Sequence, residues 1–190
     1  MSHGSSQAIK MPYGWGRAPF DMEARKKWGQ IPFPVEEYEG RIGRLRGRMK
    51  EKDLGGFIIH GGKTNAEAIR YLSNFEDFYN GDNLVFIPLE GEVAFVTNSI
   101  MHGEPIHSGI QNCWIPDARP AAHPRTATAT TVYDHLEDIM RERSVQSGKV
   151  GLSGAAVMSH LPAFQKIAPS CEYVEAQDFL PELMTIKSLA

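Results

Sequence analysis

Between Pro34 and Phe75 the hydrophobic period of the chain changes twice, and no other stretch limits the fold as tightly. Apolar residues fall at Val35, Tyr38, Ile42, Leu45 and Met49, at spacings of three, four, three and four. That period places them on one face of an α-helix. Pro34 suits the first turn, and Glu36 and Glu37 lie where the positive end of the helix dipole favours acids. Glu37 precedes Arg41 by four residues, a surface pair worth about 0.3 kcal/mol. The helical pattern stops at Asp53-Leu54-Gly55-Gly56. Phe57-Ile58-Ile59 follows, the continuous apolar run of a strand buried on both faces. His60-Gly61-Gly62 then turns the chain, and Asn65 to Leu72 reads as a short helix with Ala66, Ile69 and Leu72 inward.

Further along, strands and helices alternate. Residues 73–82 form a loop with three aromatic and three acidic residues, ending in the turn signal Asn80-Gly81-Asp82. Asn83 to Pro88 and Val93 to Thr97 read as strands joined by a hairpin at Leu89-Glu90-Gly91-Glu92. Cys113-Trp114-Ile115 is a candidate strand, and Asp117 to Arg125 a loop. Thr128 to Arg143 carries a helical face of Val132, Leu136, Ile139 and Met140. Lys149 to Leu152 is a strand. Val157, Leu161, Phe164 and Ala168 share a helical face, with Pro162 delaying or kinking the helix start. Cys171 to Val174 is a last strand and Gln177 to Met184 a last helix. The alternation predicts an α/β layer fold, and the hairpin at Gly91 makes its sheet mixed.

Residues 1–33 read as an arm. Prolines and glycines break them up, yet Tyr13, Trp15, Phe20, Trp28 and Phe33 are too aromatic for a free tail. The domain organisation is therefore an arm at 1–33, an α/β domain at 34–184 and a junction at 185–190. The arm has a candidate seat. Gly40, Gly43 and Gly47 form a stripe opposite the apolar face of the first helix. Each interior glycine costs about 1 kcal/mol relative to alanine, which a solvated face would gain nothing from. Gly40, Gly43, Gly47, Trp15 and Trp28 are thus interface candidates, the arm coming from the same chain or from a second copy. Exposed glycines tolerated by a stable core are the alternative.

Charge excludes some partners. The net charge of −3 combines +5 over residues 1–52 with −8 over residues 53–190. The basic residues of the first helix spread around three of its sides and face an acidic remainder, which argues against a nucleic-acid surface and for a solvated face paired with acidic neighbours. No apolar run approaches the roughly 20 residues of a membrane span. The absence of a signal pattern makes the cytoplasm the expected compartment. Cys113 and Cys171 have no metal-type spacing and read as buried thiols.

Motifs for chemistry are missing. The seven histidines contain no helical zinc pair, and His102 and His107 have no evident carboxylate partner. No phosphate loop or nucleophile elbow is present; Gly61-Gly62-Lys63-Thr64 lacks the first glycine and Leu152-Ser153-Gly154 its flanks. Read by motif, the chain has no catalytic residue, no metal ligand and no cofactor of its own.

The stretch EEYEGRIGRLRGRMKEKDLGGFIIH, then AIRYLSNF, then NLVFIPLEGEVAFVTNS, resembles the N-terminal domain of the creatinase, prolidase and aminopeptidase P superfamily. Ile69, Tyr71, Leu72 and Phe75 match the family's second block, and Pro88, Leu89 and Gly91 its third. Ala68, Ser73 and Asn74 depart from the usual Asn, Thr and Gly. FLPELMTIKS, from Phe179 to Ser188, resembles the family's junction, with Met184 in place of Arg. The resemblance implies a mixed sheet flanked by helices, a ribonuclease H-like layer fold. It also implies a C-terminal catalytic domain beginning where this chain ends, holding two Asp, one His and two Glu on a pair of Mn, Co or Zn ions. The chain would be the accessory domain of an M24-type hydrolase, an Xaa-Pro peptidase or a creatinase-like enzyme. Its partners would be that domain and a second subunit of a homodimer. Phe75, Asp77, Phe78, Tyr79 and Asn80 would shape the rim of the substrate pocket. The alternative is a stand-alone α/β binding or scaffold module.

Overall fold

The computed structural model describes residues 32–62, 66–75, 77, 81–98, 113–121, 130–154 and 157–185. The first helix, α1 (Val35–Glu51), buries Tyr38, Ile42, Leu45 and Met49, as their spacing predicts. It leads to β1 (Leu54–Gly61), α2 (Glu67–Ser73), and the antiparallel pair β2 (Asn83–Pro88) and β3 (Ala94–Thr97). Then come β4 (Asp117–Pro120), α3 (Val132–Glu142) and β5 (Ser147–Ser153). A 3₁₀ turn at Val157–His160 runs into α4 (Leu161–Ile167), with Pro162 in its first turn. The chain closes with β6 (Ser170–Glu175) and α5 (Phe179–Met184).

The strands form one six-stranded sheet in the order β4-β3-β2-β1-β5-β6. β1 runs antiparallel to β2 and parallel to β5; β3–β4 and β5–β6 are also parallel. The sheet is mixed, with helices on both faces. Strand parity divides the core. Phe57 and Ile59 point with Val85, Ile87 and Phe95 toward α1, α2 and α5. Ile58 points with Leu84, Phe86 and Val96 toward α3 and α4. β1 therefore feeds two cores at once, which is why its sequence is a run and not an alternation.

The structure corrects several details of the sequence reading. β1 does not end in a turn at His60. Its ladder continues because His60 pairs with Leu84 and Gly61 with Asn83. Cys113-Trp114-Ile115 is not a strand. It is buried irregular chain whose Trp114 indole N–H donates to the carbonyl of Leu72 and whose Trp114 backbone N–H donates to that of Ser73. The strand lies just beyond, in the segment read as a loop. Pro120 is tolerated there because β4 is an edge strand. α3 starts at Val132, not Thr128, because Thr131 and Asp134 close a capping box.

Two arginines are buried, and one of them, Arg41, lies on the helix expected to present a solvated basic face. Arg41 is 7% exposed. It donates to Glu37 at 3.0 Å and to the carbonyl of Tyr71 at 2.7 Å. Its guanidinium also lies 4.5–4.9 Å from the ring centres of Phe33, Tyr38 and Tyr71. Arg119, on β4, grips Asp117 with two bonds of 2.8 Å and also bonds Glu142. Burial acts to lower its pKa, but the bonds to Asp117 and Glu142 outweigh that and hold it above the usual value. The other arginines of α1 are paired within the chain: Arg44 with Glu37, Arg46 with the carbonyls of Pro88 and Gly91, Arg48 with Glu51 and Glu182. Among the described residues no helix is long and apolar enough to cross a membrane.

Leu45 and Ile58 are fully buried, one in each core. Truncating either to alanine is expected to cost about 2–5 kcal/mol. A urea midpoint shift equivalent to less than about 1 kcal/mol for both would contradict the face assignment.

His135 ties α3 to the sheet edge through an imidazole bond to the carbonyl of Pro120 at 3.1 Å. Burial holds its pKa below the usual value, against that hydrogen bond, and the Arg119 charge adds to the depression. The unfolded chain therefore takes up a proton that the folded protein resists. Stability is full above the ordinary histidine pKa of about 6.5 and is lost as pH falls toward the lower folded value. His135→Gln should flatten that slope in urea melts between about pH 7.5 and pH 5.5, and an unchanged slope would remove His135 as its source.

Candidate functional site

Three side chains from distant parts of the chain meet where parallel strands β1 and β5 end. In α/β sheets the carboxyl ends of strands are where ligand sites form, because the connecting loops diverge there. His60 is the penultimate residue of β1, Asp82 directly precedes β2, and His160 closes the 3₁₀ turn after β5. The antiparallel register sets Asn83 opposite Gly61 and so carries Asp82 alongside the end of β1. Gly154 brings the third segment in. Its φ is +113°, and a Cβ there would stand 1.9 Å from the carbonyl oxygen of His60. No other residue permits that approach. Gln177 braces the turn, accepting from the Gly154 N–H at 2.9 Å and donating to its carbonyl at 3.3 Å.

One carboxylate oxygen serves both imidazoles. Asp82 Oδ1 lies 3.3 Å from His60 Nε2 and 4.0 Å from His160 Nε2. The two rings are 4.1 Å apart between centres and tilted by 39°. The other oxygen, Oδ2, accepts from the Asn98 side-chain amide at 3.3 Å, while the Asp82 N–H donates to Asn98 Oδ1 at 2.6 Å. Asn98 thereby fixes which oxygen faces the histidines. On the far side of His160, Nδ1 shares a hydrogen bond of 2.6 Å with the Tyr133 hydroxyl. The His60 and His160 side chains are 7% and 13% exposed, whereas Asp82 is 39% exposed. The cluster is thus walled by protein and open on its acidic side.

The electrostatics follow from these contacts. The hydrogen bond from His60 is the main influence holding the Asp82 carboxyl below its usual pKa; burial opposes it and His160 assists. Burial pushes the His160 imidazole down, helped by His60 and opposed by Asp82. Burial, and then the Asp82 charge, push the Tyr133 hydroxyl up. At neutral pH the cluster holds an ionised carboxylate and an uncharged His160 ring. A nitrogen from each imidazole and a carboxylate oxygen lie within 4.8 Å of one another. Such a set can relay a proton or ligate a cation.

The rim residues named from sequence are placed in part. Phe75 packs in the core against Phe95, with ring centres 4.7 Å apart, and is 1% exposed. Asp77 is also buried; its Oδ2 accepts from the Asn83 side-chain amide at 2.8 Å. That amide also donates to the carbonyl of Gly61 at 3.1 Å, and Thr97 donates to Asn83 Oδ1 at 2.6 Å. Asp77 therefore anchors the base of its loop one residue away from the His–Asp cluster. Phe78, Tyr79 and Asn80 lie outside the described residues, as do Trp15 and Trp28. Gly40 is half-buried, and Gly43 and Gly47 are exposed. A methyl added at Gly43 or Gly47 meets no described atom within 4 Å, and one at Gly40 meets only Arg44 at 3.6 Å. The sequence search missed the cluster because its members are 22 and 78 residues apart from one another. The available signal was position: a histidine closing a buried strand and an aspartate opening the next.

Comparison with known proteins agrees with this architecture. The family described as the creatinase/prolidase N-terminal domain matches residues 41–183. No curated protein sequence matches the chain. Among solved structures, an Xaa-Pro aminopeptidase from Streptococcus pyogenes aligns over 79% of this chain and 99% of its own, with a TM-score of 0.55 and 14% identity. The N-terminal domain of the cytoplasmic peptidase PepQ from Mycobacterium tuberculosis aligns over 76% of this chain and 98% of its own, with a TM-score of 0.52 and 20% identity. An Xaa-Pro dipeptidase from Bacillus anthracis aligns over 80% of this chain, with a TM-score of 0.58 and 18% identity, but only over 37% of its own length. The shared unit is the six-stranded mixed sheet and its helices, and on the family match the chain belongs to the creatinase/prolidase N-terminal domain family.

Proposed function

We propose that this chain is the N-terminal accessory domain of an M24-type hydrolase, an Xaa-Pro peptidase or a creatinase-like enzyme, and is not catalytic on its own. The family match over residues 41–183 carries the reading. It is supported by the fold shared with Xaa-Pro aminopeptidase and dipeptidase structures. In this reading the parent enzyme works in the cytoplasm. The domain packs on a C-terminal catalytic domain that holds a pair of Mn, Co or Zn ions or, in a creatinase-like parent, works without metal, and it contributes to a homodimer. The loop that begins at Asp77 supplies Phe78, Tyr79 and Asn80 to the rim of the substrate pocket.

The coding sequence downstream of Ala190 and an activity assay test this together. The expected continuation carries the Asp, Asp, His, Glu, Glu pattern or a creatinase-like domain. The 190-residue chain alone is expected to give no turnover of Xaa-Pro dipeptides, Xaa-Pro-Yaa peptides or creatine with Mn, Co or Zn. A stop codon at that point, or turnover by the chain that survives repurification, would overturn the reading.

The open glycine stripe of α1 is the proposed contact face for the arm or a second subunit. Gly40, Gly43 and Gly47 all changed to alanine should lower stability or break the dimer if that face is covered. Helix propensity alone would raise stability by up to about 3 kcal/mol, so a clear gain with unchanged oligomeric state removes the contact.

A further inference from the structure

We propose that His60, Asp82 and His160 bind one divalent transition-metal ion, zinc by the character of the donors. The inference is independent of the parent enzyme's reaction, and it departs from the sequence reading, which assigned the chain no metal ligand.

Four observations converge. First, the donor set is two imidazole nitrogens and one carboxylate oxygen, which suits zinc and its first-row neighbours and not calcium or magnesium. Second, the spacing is close to what an ion needs. Two donors on one tetrahedral ion, with bonds of about 2.0–2.1 Å, stand about 3.4 Å apart. The His60–Asp82 edge is already 3.3 Å, and the His160–Asp82 edge of 4.0 Å closes by a small side-chain rotation. Third, orienting partners hold His160 and Asp82. Tyr133 holds His160 Nδ1, which leaves Nε2 facing Asp82. Asn98 holds Asp82 Oδ2, which leaves Oδ1 facing the imidazoles. Metal sites carry this outer layer because it fixes the tautomer and the lone-pair direction. Fourth, the backbone is built around the juxtaposition: the left-handed Gly154 rests on the His60 carbonyl and delivers the His160 turn to the site.

Three protein ligands leave a fourth position, and the partly exposed Asp82 side is where it would open. An ion there would join the ends of β1 and β5 to the start of β2, and would stabilise the fold through binding only the native arrangement.

Calorimetric titration of the untagged 190-residue chain with zinc chloride, repeated with cobalt(II) chloride, tests the proposal. One site per chain is expected, together with a higher melting temperature in the presence of zinc. His160→Gln and Asp82→Asn should each weaken binding by about 100-fold or more, and Tyr133→Phe by about tenfold. His135→Gln, whose imidazole bonds the Pro120 carbonyl outside the cluster, should bind as the parent does. Circular dichroism checks that each variant folds. Should a ligand variant fail to fold, zinc-edge anomalous diffraction from the parent protein decides: the expected peak lies between the two imidazoles and Asp82. No binding by the parent chain, parent-like affinity in the folded ligand variants, or an anomalous peak only at other residues would overturn the proposal. Peptidase activity plays no part in these readouts, so their failure leaves the accessory-domain reading untouched.

Discussion

The structure depends on a central strand buried on both faces. β1 has hydrogen-bonded neighbours on each edge and helices above and below, so each of its residues is committed to a ladder or a core. Phe57 and Ile59 support α1, α2 and α5, while Ile58 supports α3 and α4. A shift of one residue would exchange those faces and expose or misplace every side chain. The fit to β5 is just as close. A Cβ at Gly151 would come within 2.5 Å of the Phe57 ring, so the aromatic on β1 occupies space that only glycine leaves open. Packing of this density transmits position accurately, which is what a site assembled at strand ends requires.

Charged residues follow the same architecture instead of a surface pattern. Arg41 and Arg119 both sit in protein, each with a carboxylate and further oxygen or aromatic partners. Removing one partner from such a buried set is costly because the other charge is left without water or counter-charge. The Arg119 group includes Asp117, Glu142 and Arg143, so it joins the edge strand β4 to the end of α3. An edge strand of four residues with a proline has little ladder of its own, and this ion cluster holds it. Among the described residues of the positive segment, Arg41, Arg44, Arg46 and Arg48 are likewise paired within the chain.

The two ends of the parallel strands are not equivalent. At the carboxyl ends of β1 and β5, His60, Asp82 and His160 meet, with Tyr133 and Asn98 behind them and Asp77 anchored nearby through Asn83. The rim loop named from the family resemblance begins at the same end of the sheet. Chemistry-bearing residues from β1, the β2 approach, α3 and the 3₁₀ turn thus share one edge of the domain, although none of them forms a local motif.

Much of the fold was legible from local pattern. The three-four spacing of Tyr38, Ile42, Leu45 and Met49, the run at Phe57 to Ile59 and the hairpin around Gly91 are set by side-chain periodicity and turn chemistry, which act within a few residues. The family blocks around Tyr71 and Pro88 were legible for the same reason, being contiguous. What local pattern could not carry was anything decided by a partner far along the chain. β4 is a strand because β3 offers it a ladder and Glu142 helps to hold its arginine, not because Asp117-Ala118-Arg119-Pro120 favours extension. Arg41 is buried because Tyr71 lies 30 residues later. The His–Asp–His cluster exists because antiparallel register brings Asp82 to the end of β1 and a left-handed glycine brings His160 to the same place. Periodicity by itself determined which apolar residues of α1 and β1 turn inward. Only tertiary packing decided which of the inward and terminal residues would meet, because strand pairing and close backbone approach are long-range contacts that the order of residues along the chain does not spell out.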